Sequence, residues 1–306
     1  MGHRGFNLNL TFRPVRQAPV SLTAFCYFFA CVFLLFLLFA CPILAGQPLK
    51  DSLAIESIIS RLQAGEKVQR QKLHDVTFSG SLYERRLKGD GEIKEEKRFD
   101  HLTHLRRDSD TVRKMDIHEN YLRYFKNGKI QKDEELRKEV KNRLKKKRKG
   151  GSNNIFSPLS DAFADIHRHA YRYAYGGLTD TLVEGYICHI IEVSVNPHRK
   201  DKHEKTRIEG VYYLDTLSCR ITRVDFRPAK LGGGLVFNLK EVHMTLTYNR
   251  VNEYIWLPNY FHVTGSGKAA LFFSIRFERE GTYENPIINS GLPDSLFLDP
   301  ISVGSL

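Results

Sequence analysis

Beyond residue 75 the chain carries the period of a β-strand. "VTFSGSLYE" sets Val76, Phe78, Gly80 and Leu82 at alternate positions, so one face is apolar and the other polar. "KGDG" at 88–91 is a hairpin turn signal, and Asn127-Gly128, which closes "VRKMDIHENYLRYFKNGK", is another. "YRYAYGG" alternates Tyr171, Tyr173 and Tyr175 before a Gly-Gly turn. "LVEGYICHIIEVSV", "TRIEGVYYLD", "CRITRVDFRP", "LVFNLKEVHMTLTYNRV", "YIWLPNYFHVTG" and "KAALFFSIRFEREGTYEN" continue the pattern, with a turn over Asp215 to Ser218. The count is about nine or ten strands, mostly in consecutive hairpins and without βαβ alternation. The pattern predicts an α+β fold: an antiparallel sheet with a few helices packed on it.

Three segments depart from this period. "PLKDSLAIESIISRLQAGEK" spaces Leu49, Leu53, Ile55, Ile58, Ile59 and Leu62 as a helix, with Asp51 as its N-cap and Gly65 as its stop. Such an amphipathic helix must bury one stripe. "SPLSDAFADIHRHAY" begins as a short helix, with Ser157 as cap and Pro158 in the first turn. Residues 129–149, "KIQKDEELRKEVKNRLKKKRK", have helical propensity but only Leu136, Val140 and Leu144 as an apolar face, and "GGSNN" ends them as a flexible link. After Asn289 the tail reads as an ill-ordered end.

The N-terminus has a different character. No charged residue occurs from Gln17 to Leu49, and Arg4, Arg13 and Arg16 precede the apolar run "FCYFFACVFLLFLLFACPILAG". A basic front, an apolar middle and small residues at Ala45 and Gly46 describe a secretory leader. The run is also long enough to span a bilayer core of about 30 Å as a retained anchor, although Pro42 favours a break. "LFAC" resembles a lipoprotein cleavage box, which makes Cys41 a lipidation candidate despite bulky Phe39 and the following proline. All three routes export the remainder of the chain. The expected organisation is a leader or anchor over 1–45, one domain over 46–290 with a basic excursion at 129–154, and a tail over 291–306.

Net charge of +12 raises the question of nucleic acid until it is located. Three of the 47 basic residues lie in the leader, which leaves +9 against 35 acids. The stretch 129–149 holds eleven basic and four acidic residues, so it alone carries +7 and the rest is near neutral. A protein reading phosphates across its fold spreads its basic residues over a surface, so nucleic acid is not the expected partner. Beside a membrane, Lys145, Lys146, Lys147, Arg148 and Lys149 can meet anionic head groups at about 1 kcal/mol each. Otherwise they form a solvated excursion.

Export gives the body's cysteines meaning. Cys188 and Cys219 can pair in an oxidising compartment, or serve as small buried hydrophobes on neighbouring strands. The sequence does not fix their separation.

The chemistry-bearing motifs are weak. His167 and His169, in "IHRHAYRYAYGG", lack the further ligands a zinc site requires, and no acid lies between them. That stretch is expected to be a helix end turning into an aromatic strand. "GSGK" at 265–268 fails as a phosphate loop, because His262 stands where the first glycine belongs and Ala269 where Ser or Thr must bind magnesium. Cys188 and His189 are adjacent on a strand and point to opposite faces, so they do not form a thiol–imidazole pair. "HENYL" at 118–122 lacks a second histidine, and no Gly-x-Ser-x-Gly elbow occurs. The expectation is a non-enzyme, with no metal and no cofactor.

The positive signal is apolar surface. Val242, Met244, Leu246 and Tyr248 share one strand face, and Leu271, Phe273, Ile275 and Phe277 another. Such rows fill a core or surround a cavity for an acyl chain.

The order of segments resembles the LolA/LolB-like family of bacterial envelope proteins, related to outer-membrane lipoprotein sorting. The residues that carry the likeness are "YRYAYGGLTDTLVEGYICHIIEV", "GVYYLDTLSCRITRVDF", the Trp-Leu-Pro strand "EYIWLPNYFHVTG" and the closing "SIRFEREGTYENP". It covers roughly residues 50–288. The resemblance implies a curved antiparallel sheet, an incomplete β-barrel capped by helices, whose apolar face holds lipid or lipoprotein acyl chains. Carried over by pattern, Val242, Met244, Leu246, Phe261, Val263, Leu271 and Phe273 would line that face. It implies a periplasmic or outer-membrane-associated carrier or sensor, with no catalytic motif to transfer. The basic excursion departs from the family. A filled-core module that docks a partner or an anionic membrane is the alternative.

Overall fold

The computed structural model describes residues 47–108, 111–132, 161–198, 207–231, 237–269 and 273–297. The chain divides into two compact units, Met1–Lys50 and Asp51–Leu306. The second is built on one open, curled antiparallel sheet of twelve strands.

Helix α1, Gln47–Lys72, precedes the sheet. The strands are β1 (Asp75–Leu87), β2 (Ile93–Asp108), β3 (Thr111–Lys126), β4 (Lys129–Ile130), β5 (Tyr171–Leu178) and β6 (Cys188–Val195). They continue as β7 (Ile208–Asp215), β8 (Ile221–Pro228), β9 (Phe237–Arg250), β10 (Trp256–Ala269), β11 (Phe273–Thr282) and β12 (Glu284–Ile288). A 3-10 turn at Asp161–Phe163 and the short helix α2, Asp165–Arg168, lie between β4 and β5. The spatial order is β4-β3-β2-β1-β11-β10-β9-β8-β7-β6-β5, with β12 pairing β1. Apart from the β1–β11 join, neighbours on this path between β1 and β4, and between β5 and β11, are successive in the chain, as the hairpin signals require. The strand pattern is therefore seen, with the short β4 and β12 added to the expected set. Asn127 (φ 50°) and Gly128 (φ 79°) both take the left-handed conformation that a tight two-residue hairpin needs.

Two hydrophobic clusters hold the unit together. Ile55, Ile58, Ile59 and Leu62 recur at i, i+3, i+4 and i+7 on α1 and bury against Ile191, Tyr212, Leu214 and Val224 of β6–β8. Phe163 packs edge-on to Tyr212, with ring centroids 4.8 Å apart. A second cluster, Leu73, Val76, Phe78, Leu105, Ile255 and Leu257, forms beyond the C-terminal end of the helix.

Three local expectations are revised. Asp51 does not begin the helix, which already runs from Gln47, and Gly65 does not end it. Inside the helix a Cβ on Gly65 would lie 2.8 Å from Nη1 of Arg220, the residue before β8, so that guanidinium occupies the space the glycine leaves. The segment after Asn289 is tied down as far as the 3-10 turn Asp294–Phe297. The Asp75 carboxylate, 5% exposed, accepts the Ser290 amide at 2.8 Å, its hydroxyl at 3.0 Å and the Gly291 amide at 3.0 Å. Residues 298–306 lie outside the described residues.

Candidate functional site

Directly opposed residues in an antiparallel ladder point to the same face. Following the registers from β5 to β2, one row runs Tyr175, Ile191, Tyr212, Val224, Leu246, Phe261, Gly281, Leu82 and Phe99. Ile191, Tyr212 and Val224 of this row belong to the cluster with α1, so the row marks the inner, helix-bearing face of the sheet. The next row on that face runs Tyr173, Val193, Gly210, Phe226, Met244, Val263, Arg279, Glu84 and Lys97. A third includes Val242, Gly265, Phe277, Arg86 and Glu95.

These rows assemble the candidate lining residues. Met244, Leu246, Phe261 and Val263 lie together on the inner face and are half-buried, and Val242 beside them is buried. Leu246 and Phe226 pack against the α1 cluster and so belong partly to the filled core. Leu271, and the side chain of Phe273, lie outside the described residues. Ile275 and Phe277 join the strip, both half-buried, and Phe226 borders it on the core side.

Two cross-strand pairs shape its floor. Phe261 opposes Gly281 and Phe277 opposes Gly265. A Cβ on Gly281 would lie 2.6 Å from the Phe261 ring, and one on Gly265 would lie 2.3 Å from the Phe277 ring. Each ring therefore lies across its partner glycine, nearly flat on the sheet, which makes a smooth apolar surface. This is the role of Gly265 in "GSGK", which sits within β10 and not in a loop.

Toward β1 and β2 the same face becomes charged. Arg279 Nε pairs with Glu84 Oε1 at 3.1 Å, and its guanidinium lies over the Phe261 ring at 5.6 Å. Glu95 receives Lys97 at 3.1 Å, Arg86 at 3.3 Å and the Tyr124 hydroxyl at 3.1 Å. Burial opposes ionisation of Glu95, but Lys97 and Arg86 outweigh it and hold the carboxyl below its ordinary range. The site is thus an apolar strip on β8–β11 bordered by satisfied ion pairs. Its aliphatic positions were legible from alternation. The glycine partners and the charged border were not, because they depend on strand register, which for Arg279 and Glu84 joins strands far apart in the chain.

The interior beneath α1 is filled. The cavity between the C-terminal half of the helix and the sheet measures about 50 Å³, and a second beside Leu73 about 10 Å³. Neither approaches the roughly 300–1,000 Å³ of an enclosing ligand pocket. Among the described residues neither of these two cavities is the expected hollow, and the apolar surface open to a ligand is the strip.

The remaining expected sites divide as follows. Cys188 and Cys219 are both free and buried, so the disulfide is not formed. Cys219 packs in the α1 cluster, whereas Cys188 opposes Asp215 on the other face and its Sγ meets Thr222 Oγ1 at 3.3 Å. Burial pushes both thiols above their ordinary pKa. His189 turns to the inner face, where its Nδ1 meets the Tyr175 hydroxyl at 3.0 Å, so it does not face Cys188. Tyr171, Tyr173 and Tyr175 are the half-buried face of β5, while Arg172, Ala174 and Gly176 are exposed. His167 lies in α2 and His169 caps it. Among the described residues no group of three metal-binding side chains occurs. Cys41 and Lys145, Lys146, Lys147, Arg148 and Lys149 lie outside the described residues. Among the described residues no helix is long and apolar enough to cross a membrane.

Fold and site together define a mostly antiparallel, open curled sheet with one long helix over part of its inner face. No protein-family model matches the chain, and no curated protein matches it.

Proposed function

We propose that this chain is an exported, non-enzymatic binding protein that holds a lipid or lipoprotein acyl chain against the inner face of its sheet. The observation that carries the reading is the contiguous strip of Met244, Val263, Phe261 and Phe277, half-buried on one face and smoothed by the two Phe–Gly pairs. Covering such a surface yields about 25 cal/mol per Å² of apolar area removed from water. The basic leader with its apolar run supports export, to a periplasmic or outer-membrane-associated location. The likeness to LolA/LolB-like sequences supports the same ligand class.

Extraction of the purified protein and mass spectrometry of its bound molecules tests this. An acyl lipid is expected with the native chain and is expected to be lost with Val263→Glu, which puts a carboxylate on the strip without touching the α1 core. Absence of any acyl lipid, together with no binding of an added fatty acid, would reject the carrier reading. The filled interior beneath α1 favours a second reading, a module that docks a partner protein or an anionic membrane. That reading predicts that Val263→Glu leaves binding to anionic vesicles unchanged while deletion of 130–150 removes it.

A further inference from the structure

The cavity of about 50 Å³ lies at the other end of β9 from the apolar strip, beside Tyr248 and not Met244. Its charged lining is Arg70, Arg107 and Arg220 against the single carboxylate of Glu66. Glu66 is engaged by Arg70 at 3.8 Å. Arg220 is 7% exposed, and among the described residues its Nη1 is buried without a hydrogen-bond partner. Its Nη2 donates to the Gln69 amide oxygen, which also accepts the Trp256 amide at 3.0 Å. Arg107 is half-buried and donates from Nη1 to the Arg70 carbonyl at 3.4 Å. Neither Arg107 nor Arg220 forms an ion pair among the described residues.

Holding guanidinium groups at a partly buried cavity with too little counter-charge is costly, and here one carboxylate, Glu66, already paired with Arg70, faces three arginines. Burial lowers the pKa of Arg107 and Arg220; the neighbouring Arg70 adds to the shift at Arg107, while Glu66 opposes it at Arg220 without outweighing it. The last carbonyls of α1 oppose an anion here, but their partial charge of about −0.5 is smaller than the net +2 of the side chains. The cavity's volume exceeds the roughly 10–15 Å³ that one water needs and suits a small oxyanion. Planar guanidinium forks match the oxygens of phosphate.

We infer that Arg220, Arg107 and Arg70 form a binding site for a phosphate-type oxyanion between α1 and the start of β8, separate from the apolar strip. The anion bridges the helix to β2 and β8 and offsets the positive charge that Glu66 alone does not balance. The source is free phosphate or the phosphate of a lipid head group.

The protein carries one tryptophan, and Trp256 lines this cavity, so its emission reports occupancy. Inorganic phosphate, titrated into the full-length protein at constant ionic strength against chloride, is expected to give a saturable change. Arg107→Gln is expected to weaken it at least tenfold, and Arg220→Gln to abolish it in protein whose circular dichroism stays native. Should Arg220→Gln fail to fold, Arg107→Gln, at a half-buried site, carries the test. No saturable binding of phosphate by fluorescence and by calorimetry, or equal binding by the Arg107→Gln protein, overturns the inference. Glycerol 3-phosphate and phosphatidic acid vesicles form the second arm. Tighter binding there than for inorganic phosphate assigns a lipid head group, and equal or weaker binding assigns the free ion. Val263→Glu leaves the phosphate response intact, so loss of acyl binding and loss of oxyanion binding are read separately.

Discussion

Gly281→Ala offers the sharpest test of how the inner face is built. An added Cβ would lie 2.6 and 2.9 Å from two carbons of the Phe261 ring and 3.0 Å from Leu82 Cδ1, so the ring must lift off the sheet. Overpacking of this kind costs about 1–3 kcal/mol. Alanine at a position with ordinary φ regains about 0.4–1 kcal/mol through the unfolded chain. The net expectation is a loss of about 1–2 kcal/mol, read as a lower urea midpoint at unchanged slope. In a Phe261→Ala background the ring is gone, and Gly281→Ala becomes neutral or slightly stabilising. The cycle therefore yields a coupling of about 1–3 kcal/mol, well above the roughly 0.5 kcal/mol scatter of independent sites. Equal effects of Gly281→Ala in both backgrounds would refute the flat-ring geometry, and with it the smooth floor proposed for an acyl chain.

Other outcomes rest on single observations. Asp75→Ala removes the acceptor of the Ser290 and Gly291 amides and is expected to cost about 1.5–3 kcal/mol, with rapid hydrogen exchange at both amides; retained protection there would show the tail is held otherwise. Cys188 and Cys219 are expected to resist alkylation until denaturant is added, because both are buried with raised thiol pKa; peptide mapping that finds either labelled in the native protein contradicts this burial. Burial pushes the Tyr173 hydroxyl up to about 12 from its ordinary 10.0. The neutral phenol is the form the fold prefers, so its contribution is complete below pH 10 and is lost as pH rises toward about 12. Allowing for screening of the part-exposed ring, Tyr173→Phe should remove about 1 kcal/mol of that alkaline loss in denaturation curves. An unchanged slope would place the alkaline sensitivity elsewhere.

Much of the fold was readable along the chain because its causes are local. Alternation of Tyr171, Tyr173 and Tyr175 requires only that one strand face be wet, and β5 has that pattern. The Asn127-Gly128 turn depends on two φ values that those residues adopt at little cost. The stripe Ile55, Ile58, Ile59 and Leu62 announced a helix with one buried side, and α1 has it.

Tertiary structure decided whatever depends on partners far away in the chain. Gly65 looked like a helix stop, since glycine is costly in a helix interior, but Arg220 across the interface uses the space it leaves. The tail after Asn289 has no pattern of its own; the buried carboxylate of Asp75 fixes it. Pairing of β1 with β11 brings Leu82 against Gly281 and sets Arg279 beside Glu84, while the register of β10 on β11 lays Phe261 over that glycine. Periodicity assigns each residue to a face at a local cost in solvation. Which residue stands opposite it, and whether the space between holds a ring, an ion pair or an unmatched arginine, is settled by burial shared among strands that the sequence keeps far apart.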